Sequence, residues 1–218
     1  LPYPVTVLQA LVRLAREPLF WGTALTSLLR IAAGMAAGAA LGSVLAWLTC
    51  ASSRLELLFA PVIRVIRATP VASFILLVLL WTGRNQVPAV ISGLMVLPVV
   101  WENLTQGIRS TDGQLLELSR AYRFSRRKTL RLVYLPCLKP YLLSALTTAI
   151  GLAWKSGVAA EVLCLPRPGI GTEINRSKQA FETADLFAWT AVVILLSLLM
   201  ERLLTWLIQR KGGTAPHD

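Results

Sequence analysis

The sequence predicts an all-α, polytopic membrane protein with about five spans. Two observations carry this prediction: a mean hydropathy of +0.62 with 55% hydrophobic residues, and several apolar runs longer than the roughly eighteen residues a helical span needs. A third observation is the distribution of basic side chains, which fall mostly in loops on one side of the chain. A soluble globular core is excluded by the same numbers. The net charge of +11 would suggest nucleic acid in a soluble protein, but no aromatic-basic platform accompanies it, and no nucleic-acid partner is expected. Cys50, Cys137 and Cys164 share no ligand-like spacing, so neither a metal site nor a disulfide is expected.

Taken in order, residues 1–20 read as an amphipathic helix too polar to span, with Arg13 and Arg16 among Val5, Leu8, Leu11 and Val12; it belongs at a membrane interface. Thr23 to Leu48 is the first span. Gly34, Gly38 and Gly42 recur at every fourth position and so share one face, where a second helix can approach closely. Arg30 is the only charge in this span and, near its end, is expected to snorkel to the membrane edge. Residues 57–81 form a second span interrupted at Thr69-Pro70, where the missing N–H breaks the helical ladder; a simple helix start at Pro70 is the structural alternative. Val87 to Leu104 is the third span. Lys139-Pro140 opens the fourth, Tyr141 to about Leu163, which carries Lys155 and Glu161. An ionisable group at membrane depth is costly, so it should face a cavity, a water path or an opposite charge. Lys155 and Glu161 lie six residues apart, well off a common helical face, so a pair within the helix is disfavoured and pairing with another helix stays open. Residues 165–185 form a polar connection rich in Pro and Gly, then Leu186 to Ile208 is the last span, and Gly212 to Asp218 a disordered tail.

The polar stretch 110–136 stands apart. It combines Arg120, Arg123, Arg126, Arg127, Lys128 and Arg131 with apolar residues at helical spacing, Leu115, Leu118 and Tyr122 among them, and Asp112 is placed to cap a first short helix. A basic loop between spans by itself only marks the cytoplasmic side. This one has a more specific layout: Glu117-Leu118-Ser119, three residues, Arg123, nine residues, then Val133-Tyr134-Leu135-Pro136. It resembles the EAA loop of ABC-importer permeases, E-A-A-x3-G-x9-I-x-L-P, with Leu-Ser in place of the Ala pair and Arg123 where the family has Gly. Two short helices joined by a modified turn are expected at that position.

The resemblance extends from Thr23 to Glu201. The Arg67-x-Thr69-Pro70 element is similar to the family's pathway-facing break, and Gly169-Ile170-Gly171-Thr172-Glu173-Ile174 resembles an extracytoplasmic segment of the taurine, sulfonate and nitrate group. It implies a type I ABC-importer permease fold, six spans with one preceding this sequence, in a single domain over 1–218. It also implies a multi-pass protein of the bacterial inner membrane. The implied assembly is a homodimer of permease subunits with two cytoplasmic ABC ATPase subunits, an extracytoplasmic solute-binding protein and surrounding membrane lipid. Glu117, Leu118, Ser119, Arg120, Arg123, Arg126, Arg127, Val133, Leu135 and Pro136 would then couple to the ATPase. Pro70, Lys155 and Glu161 are the candidates for the translocation pathway, and a lysine there is compatible with an anion such as a sulfonate or nitrate. The sequence has no G-x4-G-K-[ST] phosphate cradle, so ATP would be bound by the partner subunits and no cofactor or catalytic residue is expected in this chain.

With the basic loop cytoplasmic, fourteen Lys and Arg fall on that side and six opposite, with Arg30 and Lys155 inside spans making up the 22. This asymmetry places the loop and the C-terminus in the cytoplasm independently of the motif. The alternative from another class is an ion-gradient-driven secondary transporter or channel using Glu102, Lys155 and Glu161 as relays; it predicts repeats and paired broken helices, which the sequence lacks.

Overall fold

The computed structural model describes residues 2–211, excluding the side chains of 204, 205 and 207–211; the expected tail at 212–218 lies outside the described residues. Among the described residues the chain is helical without strands: α1 (Pro4–Ala15), α2 (Pro18–Ala51), α3 (Ser53–Ala68), α4 (Val71–Trp81), α5 (Val87–Arg109), α6 (Gly113–Ala121), α7 (Arg126–Thr129), α8 (Leu135–Cys164), α9 (Ile170–Gln179) and α10 (Thr183–Lys211). Four helical stretches, including the continuous Arg126–Cys164, are long and apolar enough to cross a membrane; α3 and α4 together make a fifth if their bend of 112° is one broken span.

The break is where Pro70 predicts it. Thr69 and Pro70 take extended backbone between two helices, because Pro70 cannot donate back to the preceding turn. The core is a sandwich of α2, α5 and α8. Gly34, Gly38 and Gly42 are buried on one face of α2 against the backbone of α5 around Ala89, Gly93 and Leu97. A Cβ on Gly38 would lie 2.2 Å from the Gly93 carbonyl oxygen, so the two backbones meet with no side chain between them. The glycine seam is thus a helix-packing device. Around it, Ile31, Val96, Val100, Ala149, Ala153 and Trp154 fill the core. The Trp154 indole N–H donates to the Val193 carbonyl at 3.0 Å, docking α10 on α8. Outward, Leu25, Leu29 and Leu41 on α2 and Ile194, Leu195 and Leu198 on α10 are exposed. Side chains of this kind on spanning helices suit contact with lipid.

Two boundaries differ from expectation. The fourth span does not open at Lys139-Pro140. A π-helical turn, Leu130–Tyr134, joins α7 to α8 without a break, so one helical rod runs from Arg126 to Cys164. Pro136 follows directly on the π-helical turn and Pro140 comes one turn later; each removes one backbone bond from the rod, and neither interrupts it. The last span begins at Thr183, earlier than Leu186, because α9 ends in a compact turn with Phe181 in the left-handed region.

Candidate functional site

Between α5 and α8 the chain forms one short helix, α6, and then a turn into the rod that starts at Arg126; the second of the two expected short helices is not separate but is the first turns of that rod. Asp112 caps α6, its carboxylate accepting from the Gln114 N–H at 2.8 Å. The turn that follows answers the question raised by Arg123. Its φ is +49°, in the left-handed region that glycine favours. The Arg123 N–H donates to the Arg120 carbonyl and the Phe124 N–H to the Ser119 carbonyl, both at 2.9 Å, which is a Schellman closure with Arg123 at its left-handed position. Arg123 therefore takes the left-handed turn position that glycine adopts without cost, and carries the backbone strain that glycine would avoid. Arg123→Gly is expected to stabilise the loop by about 1 kcal/mol, whereas the β-branched Arg123→Val costs at least about as much in the other direction; limited proteolysis across 119–128 would read both.

The expected coupling residues divide by exposure. Glu117, Leu118, Arg120, Arg123, Arg126, Arg127, Leu135 and Pro136 are exposed, while Ser119 and Val133 are buried at 5% and 6% and fasten the loop from within. Two residues belong with the exposed set although sequence reasoning did not place them in the site. Leu115 and Tyr122, at 42% and 70% exposed, lie with Leu118 at i, i+3 and i+7 along α6 and its C-cap, where Tyr122 stands 6.3 Å ring to ring from Phe124. That spacing was the signal for them. The start of the rod is steadied by Lys128, whose ammonium stands 4.3 Å from the centre of the Phe124 ring. The loop is tied to the membrane core at both ends: Tyr134 meets Trp47 of α2 ring to ring at 5.1 Å, and the Ser110 and Tyr141 hydroxyls share a 2.7 Å hydrogen bond.

The candidate pathway residues do not come together. Pro70 is exposed at the α3–α4 break. Lys155 is exposed on a face of α8 that also presents Ser144, Thr147, Thr148 and Ala159. Leu152 is exposed on the same face, so Lys155 stands as a single cation among mixed polar and apolar side chains, and on a helix long and apolar enough to span a membrane it needs water or an opposite charge beside it. Glu161 is a correction: it is fully buried and faces inward, away from that exposed face. Its Oε1 accepts from Arg30 Nη1 at 2.9 Å, and its Oε2 from the Ser27 hydroxyl at 2.9 Å and the Gly171 N–H at 3.0 Å. Ser27 Oγ in turn accepts the Ile170 N–H at 2.9 Å, and Arg30 Nη2 donates to the Pro168 carbonyl at 3.2 Å. Arg30 therefore does not snorkel; its charge is met inside the protein. The carboxylate sits on the first-turn N–H groups of α9, which favours negative charge. Gly171 makes the approach possible, since a Cβ there would lie 2.5 Å from the Glu161 Cβ.

Glu102 pairs with Arg67, closing α3 against α5, and Glu56 pairs with Arg109 at 2.6 Å between the same two helices. Two of the three residues that a gradient-driven carrier would need as relays, Glu102 and Glu161, are thus engaged in ion pairs. Among the described residues no group of His, Cys, Asp and Glu is placed to hold a metal ion.

Residues 38–213 match the model of a family described as the binding-protein-dependent transport system inner membrane component. The chain belongs to that family. The permease is 29% identical over 212 residues to a putative aliphatic sulfonates transport permease protein of Bacillus subtilis, covering 97% of this chain and 76% of that one. It is 28% identical over 192 residues to the bicarbonate transport system permease protein of Synechococcus elongatus, covering 87% and 68%. Over 159 residues it is 31% identical to the riboflavin transport system permease protein of Chloroflexus aurantiacus, covering 69% and 59%. Its fold is that of the crystal structure of an amino acid ABC transporter with histidines, at a TM-score of 0.68 and 19% identity over 88% of this permease and 91% of that chain. The permease is thus a transporter subunit with the ABC-importer permease fold.

Proposed function

We propose that the permease forms, with a second copy of itself, the translocation pathway of an ATP-driven importer of a small anion, and that it takes its energy through residues 110–136. The observation that carries the coupling half is the Leu115, Leu118 and Tyr122 stripe, exposed, apolar and flanked by Arg120, Arg123, Arg126 and Arg127. An apolar helix face rimmed by charge fits a groove on a soluble partner. In this reading the partner is a pair of ABC ATPase subunits, which hold the ATP, the loop and C-terminus are cytoplasmic, and a solute-binding protein delivers the substrate on the other face. The rod from Arg126 to Cys164 supports a lever mechanism: about 58 Å long at 1.5 Å per residue, it joins the loop to the opposite membrane face in one element.

Leu118→Asp tests the coupling. It places a charge in the middle of the stripe without touching the buried Ser119 or Val133. The expected result is normal membrane insertion with loss of the co-purifying ATPase and of ATP-dependent uptake; retention of both overturns the reading.

The substrate half rests on Lys155 and on relatives named for aliphatic sulfonates and bicarbonate, both anionic. Lys155→Ala is expected to reduce anion uptake at least about tenfold, the loss of a single charge contact of about 1.4 kcal/mol in a partly desolvated site. Unchanged uptake at normal protein level would make Lys155 structural.

A further inference from the structure

The outer face of the permease holds a half-open cavity of about 1170 Å³ between the α2 start, the turn at 83–86, the loop at 165–168 and α9. Its charged lining is Arg84, Arg167 and Arg176 against one acid, Glu173, and Asn85 and Gln86 add amide donors, while the Asn175 amide donates to the Val162 carbonyl at 3.1 Å. Arg176 spends part of its charge on Glu173 at 3.7 Å. Among the described residues neither Arg84 nor Arg167 has a carboxylate within ion-pair distance, and both are exposed.

The two arginines are not loosely placed. The Arg167 N–H donates to Asn85 Oδ1 at 3.2 Å, which ties the loop of one guanidinium to the neighbour of the other. The next residue, Pro168, has its carbonyl held by the part-buried Arg30, and Pro166 accepts from the Thr172 hydroxyl at 2.5 Å. Beyond these, the Ile170 and Gly171 N–H groups are taken by Ser27 and Glu161. The buried Arg30–Glu161 pair thus anchors the wall from which Arg167 projects. The adjoining cavity of about 280 Å³ has the opposite sign, with Glu17, Glu173, Glu182 and Asp185 against Arg13 and Arg176.

We infer that this basic cavity is an outer antechamber that collects the oxyanion group of the solute, a sulfonate or carboxylate, before it enters the pathway. The inference rests on the importer reading and adds a site to it. Its chemistry is unpaired guanidinium groups with amide donors at the mouth of the molecule, which suits planar or tetrahedral oxyanions. Its size decides the mode of binding. At about 1170 Å³ it exceeds a close-fitting small-molecule site, so the anion is held with its water and weakly, by field focusing.

The test uses the assembled permease–ATPase complex in lipid nanodiscs without ATP. Phenylglyoxal labelling of each arginine is followed by mass spectrometry in sodium methanesulfonate and in sodium chloride of equal ionic strength. Labelling of Arg84 and Arg167 is expected to slow about fourfold in methanesulfonate at about three times its dissociation constant, with Arg120 and Arg126 unchanged. Arg84→Gln should remove the protection at Arg167. Equal labelling in the two salts overturns the inference, as does equal protection of the loop arginines, which would be a general salt effect. Protection by a hexaglutamate peptide but not by methanesulfonate also overturns it, because the cavity would then receive a partner's acidic segment. No hydrolysis or transport is needed, so failure here leaves the importer reading intact, and loss of ATPase association would count against that reading alone.

Discussion

Replacing Glu161 with leucine is expected to destabilise the permease by about 3–5 kcal/mol, the usual cost of removing one partner of a buried ion pair. Leucine fills much of the volume, so the loss is electrostatic. Arg30 is left charged and only partly exposed, and the Ser27 hydroxyl and Gly171 N–H lose their acceptor together. Three groups fail at once because one carboxylate serves all of them. A second substitution separates this account from a simple packing defect. Arg30→Met in the Glu161→Leu background removes the stranded charge and should recover part of the loss; the Ser27 hydroxyl and Gly171 N–H, both left without their acceptor, keep a remainder of at least about 1 kcal/mol. Glu161→Gln, which keeps an acceptor but not the charge, should fall between. Thermal unfolding in detergent, followed by size-exclusion fluorescence, reads all three. If Glu161→Leu unfolds within about 0.5 kcal/mol of the parent, the pair does not hold α2, α8 and α9 together.

This pair also marks the limit of what the sequence discloses. Arg30 and Glu161 are each visible as a charge inside an apolar run, and the cost of burying them says that each needs a partner. The run itself does not say which face meets which: the residues are 131 positions apart, and their meeting depends on how α2 and α8 pack. Local features were legible in proportion to how local their cause is. Pro70 breaks its helix through its own missing N–H, Asp112 caps with its own side chain, and the seam at Gly34, Gly38 and Gly42 follows from a four-residue period. Pro140 misled because a proline removes a single backbone bond and the helix continues on either side of it, from the π-helical turn at Leu130–Tyr134 through α8. The helical spacing of Leu115, Leu118 and Tyr122 was visible in the sequence, whereas the burial of Ser119 and Val133 shows only in the folded structure.

The same chemical change, glycine to alanine, is expected to have opposite signs at two positions of α2. Gly22 lies on an exposed face near the start of the helix, with nothing within 4 Å of the place its Cβ would occupy. Gly22→Ala should stabilise by about 0.5–1 kcal/mol, through lower backbone entropy in the unfolded chain. Gly38 has the same intrinsic preference for alanine, and packing reverses it. The added methyl would stand 2.2 Å from the Gly93 carbonyl oxygen and 2.7 Å from its Cα. Both are backbone atoms, so no side chain can rotate away, and α5 must shift along a seam it shares with Gly34 and Gly42. Overpacking of this kind costs about 1–3 kcal/mol or more, which outweighs the helix-propensity gain several times over. Gly38→Leu should prevent the α2–α5 contact altogether and abolish recovery of folded protein. Because Gly93 is the opposing residue, no compensating reduction in size is available at that site, and a second-site rescue on α5 at position 93 is not expected. Equal thermal stability of Gly38→Ala and Gly22→Ala would mean that the two backbones do not meet at this distance.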